Sequence, residues 1–292
     1  MIWILYALLA AVFSAIATIF RKKTLLKEHS ITFLAANKLF QLIIVLVLIP
    51  FINFNITLSL IALLAVIAVL NMESDIFWTK ALKRLDISIA APLTNLSPAF
   101  VVILAYFMLN ERITLLQILG VILIVGGAYV LEANHGFNFK NVYNQIKKSR
   151  YSIILFFSLL IGAFSAIGER YILGNKFINP IDMLFFFYLF TTILVLSIQF
   201  NNDTNFKKIK ETIKRAKLTI LVTSVAGVLT TGFYYLAVSS AYVSLVLPIL
   251  LISTLLITVV GGGFFKEKRL LKKAIACIIM LIGVFLIINS SI

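Results

Sequence analysis

The phrase Leu8-Leu-Ala-Ala-Val-Phe-Ser-Ala-Ile16 is written again, nearly letter for letter, as Leu159-Leu-Ile-Gly-Ala-Phe-Ser-Ala-Ile167. Both copies open long apolar runs, and they stand 151 residues apart in a chain of 292. A second pair of stretches extends the likeness. With the frame moved to 156, the segment 88–111, SIAAPLTNLSPAFVVILAYFMLNE, lies over 244–267, SLVLPILLISTLLITVVGGGFFKE, without a gap. Ser88 then matches Ser244, Pro92 matches Pro248, Ser97 matches Ser253, Glu111 matches Glu267 and, further on, Gly127 matches Gly283. The chain was built from one unit used twice, with the extra residues of the second copy in its longer polar loop at 201–217.

The unit is a membrane unit. Hydrophobic residues make up 62% of the chain and charged residues 13%, far from the balance of a soluble domain. A spanning helix needs about 20 mostly apolar residues. Ten stretches qualify: 2–20, 31–50, 57–82, 87–109, 113–132, 151–173, 180–200, 217–238, 241–265 and 270–289. The first has no basic leader and no small-residue cleavage site, so it reads as a retained helix. The expected fold is an all-α integral membrane protein of ten transmembrane helices. They divide into a first five-helix repeat over 1–134, a polar basic linker over 135–150 and a second repeat over 151–292. Five helices per repeat bring the second copy into the membrane from the opposite side. The repeats are therefore expected to be inverted, as in many secondary transporters. Small residues in the repeated phrase (Ala11 and Ala15, Gly162 and Ala166) suit close helix packing, with Ser14 and Ser165 as alternative cavity liners. The stretch FKKIKETIKRAK (206–217) reads as a short amphipathic surface helix.

Charge has a side. The net charge is +15, yet no soluble segment exists to bind nucleic acid. Most of the basic residues fall in alternate connections: Arg21, Lys22, Lys23 and Lys27; Lys80, Lys83 and Arg84; Lys140 to Arg150; Lys207 to Lys217; and Lys266 to Lys273. The positive-inside rule makes that side cytoplasmic and puts both termini outside.

With these residues in view, the chain resembles the EamA type of the drug/metabolite transporter superfamily. The stretch 90–131, with its proline, its Glu-Arg after the helix and its glycine-bearing second helix, is similar to the family's fourth and fifth helices. The stretch 247–287 is similar to the same unit in the second half. The resemblance implies two five-helix repeats around a central cavity, export or exchange of small metabolites, and termini in the cytoplasm, opposite to the charge bias. The small multidrug exporters of the superfamily use an acid in their first helix, which is absent here.

Ionisable groups inside a membrane are costly and face cavities. In NMESDIFWTKAL (71–82), Glu73 lies about 16 Å and Asp75 about 13 Å before the basic end at Arg84, taking 1.5 Å per residue. They read as proton or cation sites, or as structural partners of Lys38 or Lys80. Their repeat counterparts are Leu229 and Thr231. In NKLFQ (37–41), Asn37 and Gln41 share a helix face, suited to a substrate or to helix association, and Lys38 suits either a site or a snorkelling side chain. Glu169, whose counterpart is Thr18, reads as an interfacial group near Lys176 or as a site acid. Trp78, Tyr234 and Tyr235 suit pocket walls, the tyrosines equally a membrane-interface belt. Asn95, between Pro92 and Pro98, is a candidate lining residue, and the prolines suit kinks. The half-specific polar residues are expected to shape the site, and the shared ones the scaffold.

Other chemistry is not signalled. There is no H-E-x-x-H, G-x-S-x-G or Walker A pattern. One cysteine, Cys277, and two histidines, His29 and His135, give no disulfide within a chain and no metal cluster. The expectation is a secondary transporter, not an enzyme, with no cofactor and no metal, partnered by a small-molecule substrate and the lipid bilayer, in the cell membrane. A flippase-like lipid-handling protein and a membrane scaffold are the alternatives.

Overall fold

A computed structural model describes residues 2–25, 28–84, 94, 96–132, 150–201, 206–254, 256–257 and 270–289. Among them the secondary structure is helical, without strands. The helices are α1 (Ile2–Leu25), α2 (Ser30–Leu46), α3 (Leu58–Arg84), α4 (Ser97–Leu109), α5 (Leu115–Glu132), α6 (Arg150–Gly174), α7 (Pro180–Asn201), α8 (Phe206–Ser240), α9 (Val243–Leu250) and α10 (Leu270–Asn289). A short 3-10 turn, Ile49–Phe51, follows α2. Five of these helices, α1, α3, α6, α7 and α8, are long and apolar enough to cross a membrane.

Local chemistry explains several ends. Thr114 and Gln117 form a capping box before α5: the Thr114 N–H donates to Gln117 Oε1 at 2.9 Å and the Gln117 N–H to Thr114 Oγ1 at 3.3 Å, satisfying two orphan donors. Pro98 stands in the first turn of α4, where a missing N–H has no intrahelical partner to lose. The chain turns at Leu96 just before it. In α9, Pro248 stands inside the helix, which ends two residues later and turns at Leu251. In the second copy of the proline segment the helix is thus broken just after its proline. Pro92 and the Gly261–Gly263 run lie outside the described residues. The segment 206–215 is helical, and α8 runs on from it through non-helical backbone at Ala216. Ile209 is buried among Phe33, Leu34 and Met72, and Thr212 Oγ1 donates to Glu28 at 3.0 Å. The amphipathic piece therefore docks on the protein rather than lying only on a membrane surface.

The packing follows the repeat. The most extensive contacts are α1 with α8, α3 with α6, α2 with α7 and α8, α3 with α7, α4 with α6 and α9, α1 with α9, and α5 with α10. Moving every helix five places along the chain turns this set into itself. The two copies of the opening phrase lie in equivalent contacts. Ala7, Ala10, Ala11 and Ala15 of α1 are buried, in the helix that packs on α8. On α6, a Cβ at Gly162 would stand 2.9 Å from Ser74 Oγ of α3. There Ser74 and Ser158 each donate to the other's carbonyl at 2.9 Å. Ser165 Oγ donates to the Ile67 carbonyl at 3.4 Å, so it joins helices. Where α5 crosses α10, Gly120 and Gly283 meet: a Cβ on Gly283 would lie 2.6 Å from the Gly120 carbonyl oxygen.

Large apolar side chains remain on the outside, among them Leu58, Phe107 and Leu115, each about four-fifths exposed. Hydrocarbon chains, and not water, suit such a surface.

Candidate functional site

The interior holds a polar centre where α2 and α3 of the first half meet α6, α7 and α8 of the second. Lys38, on α2, is buried. Its Nζ lies 3.6 Å from Asp75 Oδ2 on α3, and 5.2 Å and 5.6 Å from the rings of Phe187 and Tyr188 on α7. The ring faces carry negative quadrupole charge and attract a cation. Thr192 Oγ1 donates to the Lys38 carbonyl at 3.1 Å. Of the two partners expected for Asp75, the fold selects Lys38. The side chain does not snorkel to the basic side.

The second half has a counterpart of this link. Tyr188 Oη donates to the Gly227 carbonyl at 3.1 Å and shares a hydrogen bond with Thr231 Oγ1 at 2.9 Å. Thr231 occupies the position of Asp75 in the repeat frame. The equivalent helix pairs α2–α3 and α7–α8 are joined by an ion pair in one half and by neutral hydroxyls in the other. At this contact the ion pair of the buried Lys38 with the partly buried Asp75 breaks the symmetry of the scaffold.

Asn37 and Gln41 stand on the side of α2 that meets α8. Ser224 Oγ donates to Asn37 Oδ1 at 2.8 Å, and Gln41 Nε2 reaches the space that a Cβ on Gly227 would fill. Their other polar atoms, Asn37 Nδ2 and Gln41 Oε1, are buried and have no hydrogen-bond partner among the described residues. Unpaired buried polar atoms are rare and call for a reason. Tyr234 on α8 is buried within hydrogen-bonding reach of the Glu169 carboxylate.

Glu169, on α6, is 5% exposed. Tyr235 Oη donates to its Oε1 at 3.4 Å, and both Lys38 and Tyr188 lie within its electrostatic reach. This corrects the interfacial reading that paired it with Lys176. Tyr234 and Tyr235 are likewise buried, at 8% and 0%, and do not sit in an interfacial belt: α8 continues to Ser240 and packs them inward beside Glu169. Trp78 is half-buried under the Arg21 guanidinium, whose Cζ lies 5.5 Å from the ring centroid. Glu73 is exposed, with no ion pair or hydrogen bond among the described residues. Its neighbour at i+2 faces the centre, and i and i+2 point apart on a helix. Asn95 lies outside the described residues.

Sequence reasoning missed several members of the centre: Phe187, Tyr188, Thr192, Ser224 and Thr231. The available signal was Tyr188 alone, a hydroxyl inside the apolar run FFFYLF that needs a partner when buried. It also missed the clasp at one end of the bundle. Glu111, just after α4, accepts from the Val243 and Ser244 N–H groups at 3.1 and 3.2 Å and from Ser244 Oγ at 2.6 Å. Arg170 Nε lies 3.1 Å from the same carboxylate, and its Nη1 donates to the Val238 carbonyl at 2.6 Å.

A family model described as the EamA-like transporter family matches residues 1–132 and 149–289. The chain belongs to the EamA-like transporter family. It is thus a multi-pass integral membrane protein and a membrane transporter of the drug/metabolite type. The transporter is also 31% identical over 133 residues to an uncharacterized protein of Methanocaldococcus jannaschii, an alignment covering 45% of this chain and 97% of that protein. That relative is about one repeat long. A solved structure titled only as the crystal structure of a protein matches with a TM-score of 0.71 at 16% identity, over 98% of this chain and 94% of that one. At that identity it speaks for the fold alone.

Proposed function

We propose that the protein is a secondary active transporter that moves a small metabolite or drug-like compound by alternating access, driven by protons or by exchange. In this reading ten helices cross the membrane as two inverted five-helix repeats. The invariance of the packing under a five-helix shift supports it. The basic connections are cytoplasmic, as the charge bias requires, in a cell membrane.

One observation carries the reading. Asn37 Nδ2 and Gln41 Oε1 are buried without hydrogen-bond partners among the described residues, beside Lys38, Asp75 and Glu169, where the halves meet. A packed scaffold has no use for two unmet polar atoms, whereas a solute passing between the halves meets them. The solute's polar groups replace the missing bonds, and Phe187 and Tyr235, 6.0 Å apart and edge to face, offer an apolar wall. Glu169 is the proposed coupling group: its carboxylate takes up a proton with the centre open to one side and releases it to the other. The Lys38–Asp75 pair sets the field at the centre. Glu73, turned away, is outside this role.

The test is transport in proteoliposomes with a panel of labelled metabolites, with and without a pH gradient. A compound that moves in the wild type should lose its pH-gradient dependence in Glu169→Gln and keep it in Glu73→Gln. If Glu73→Gln abolishes the dependence and Glu169→Gln does not, the coupling site lies on the other side of α3. If no compound moves with folded protein while labelled phospholipid exchanges between leaflets, the lipid-handling reading replaces this one.

A further inference from the structure

A cavity of different character from the polar centre lies at one end of the bundle. It occupies about 520 Å³, and its lining includes His29, Phe77, Lys80, Arg150, Tyr151 and Ile154. Three helix ends make it. Ser30, the first residue of α2, lines it; Lys80 stands one turn before Arg84, the last residue of α3; Arg150 is the first residue of α6. The ends of membrane helices lie at the depth of the lipid headgroups.

Among the described residues the charge of the cavity is one-signed. Lys80 and Arg150 are both exposed, and neither has an ion-pair partner among the described residues. No carboxylate is among the described lining residues. Phe77, Tyr151 and Ile154 supply an apolar and aromatic wall beside the cations. Two fixed cations next to an apolar wall at headgroup depth match a phosphate that carries acyl chains.

We propose that this cavity binds the phosphate headgroup of an anionic phospholipid, with Lys80 and Arg150 holding the phosphate and Phe77, Tyr151 and Ile154 flanking the upper part of the chains. Because α2 and α3 belong to the first half and α6 to the second, a bound headgroup ties the two halves together at the basic end of the bundle.

The experiment measures the melting temperature of the full chain in detergent as dioleoylphosphatidylglycerol, dioleoylphosphatidylcholine or glycerol 3-phosphate is titrated in, with retained lipid counted by native mass spectrometry. Phosphatidylglycerol should stabilise the wild type and stay bound, and phosphatidylcholine should do neither at the same concentration. Lys80→Gln with Arg150→Gln should weaken the apparent phosphatidylglycerol affinity about thirty-fold, and each single change about five-fold, if each cation contributes as basic residues at a membrane surface do. Lys80→Arg with Arg150→Lys should retain binding. So should Lys208→Gln with Lys214→Gln, which removes the same charge from exposed positions elsewhere on the basic side. The proposal is overturned if the double glutamine variant binds like the wild type, or if the Lys208 and Lys214 control loses as much affinity. It is equally overturned if glycerol 3-phosphate reproduces the whole effect, since the ligand is then a soluble phosphate.

Discussion

Glu111 and Ser244 are joined across the two repeats by a hydrogen bond of 2.6 Å. The carboxylate belongs to the loop after α4, and the serine starts α9. The same carboxylate accepts from the first two N–H groups of that helix, those of Val243 and Ser244, and from the Arg170 guanidinium. Negative charge at a helix N-terminus is stabilising, and here every acceptor position is used inside the protein. In the repeat frame the sequence counterparts of these two residues are Glu267 and Ser88, which lie outside the described residues.

Glu111→Ala removes a buried carboxylate and strands Arg170. The expected loss of stability is about 3 kcal/mol, in the range for breaking a buried pair. Thermal melts in detergent would show it. Adding Arg170→Ala to Glu111→Ala should cost much less than the sum of the single changes, because the stranded charge is gone.

The Lys38–Asp75 pair should behave in the same way at the polar centre. Asp75→Asn leaves the buried Lys38 without its carboxylate, and about 2–4 kcal/mol of stability should be lost. Lys38→Met combined with Asp75→Asn should recover most of it, since an apolar chain of similar length fits against Phe187 and Tyr188. Full recovery of stability together with lost transport would separate a functional pair from a structural one.

Gly283→Val should destabilise the α5–α10 contact by about 1–3 kcal/mol, the usual cost of overpacking, because its first side-chain carbon meets the Gly120 carbonyl at 2.6 Å. Gly126→Ala, in the same helix pair, meets nothing within 4 Å and should leave the melting temperature unchanged or slightly raised. Equal effects from the two would remove the close crossing as the reason for the glycine.

Lys176 ends α6 with φ of 56°, in the left-handed region that favours glycine. Its N–H donates to the Leu173 carbonyl and that of Phe177 to the Ile172 carbonyl, both at 3.1 Å, the pattern of a Schellman cap. Lys176→Gly should therefore stabilise the protein by about 1 kcal/mol, visible as a higher melting temperature. A drop instead would mean that the lysine side chain contributes more than its backbone costs.

The sequence by itself determined the solvent, the repeat and the family resemblance. Those are properties of order and composition: apolar runs of spanning length, a phrase written twice, and prolines, serines and acids recurring in one frame. It also singled out Lys38, Asp75, Asn37, Gln41 and Glu169, because polar groups in an apolar run are conspicuous wherever they end up. What the order of residues does not contain is which helix lies against which. Lys38 and Lys80 were equal partners for Asp75 until α2 and α3 were placed. Tyr234 and Tyr235 suited a membrane interface until α8 proved to continue beyond them and turn them toward Glu169. Glu73 and Asp75 differ by two positions and fall on opposite sides of the same helix wall. Tyr188, Ser224 and Thr231 join the centre only through contacts between α2, α7 and α8. Lipid is as apolar as a helix face, so hydrophobicity gives a membrane helix no preferred side. Side-chain packing and the bonds between polar groups choose its rotation, and those exist only once the tertiary structure has formed.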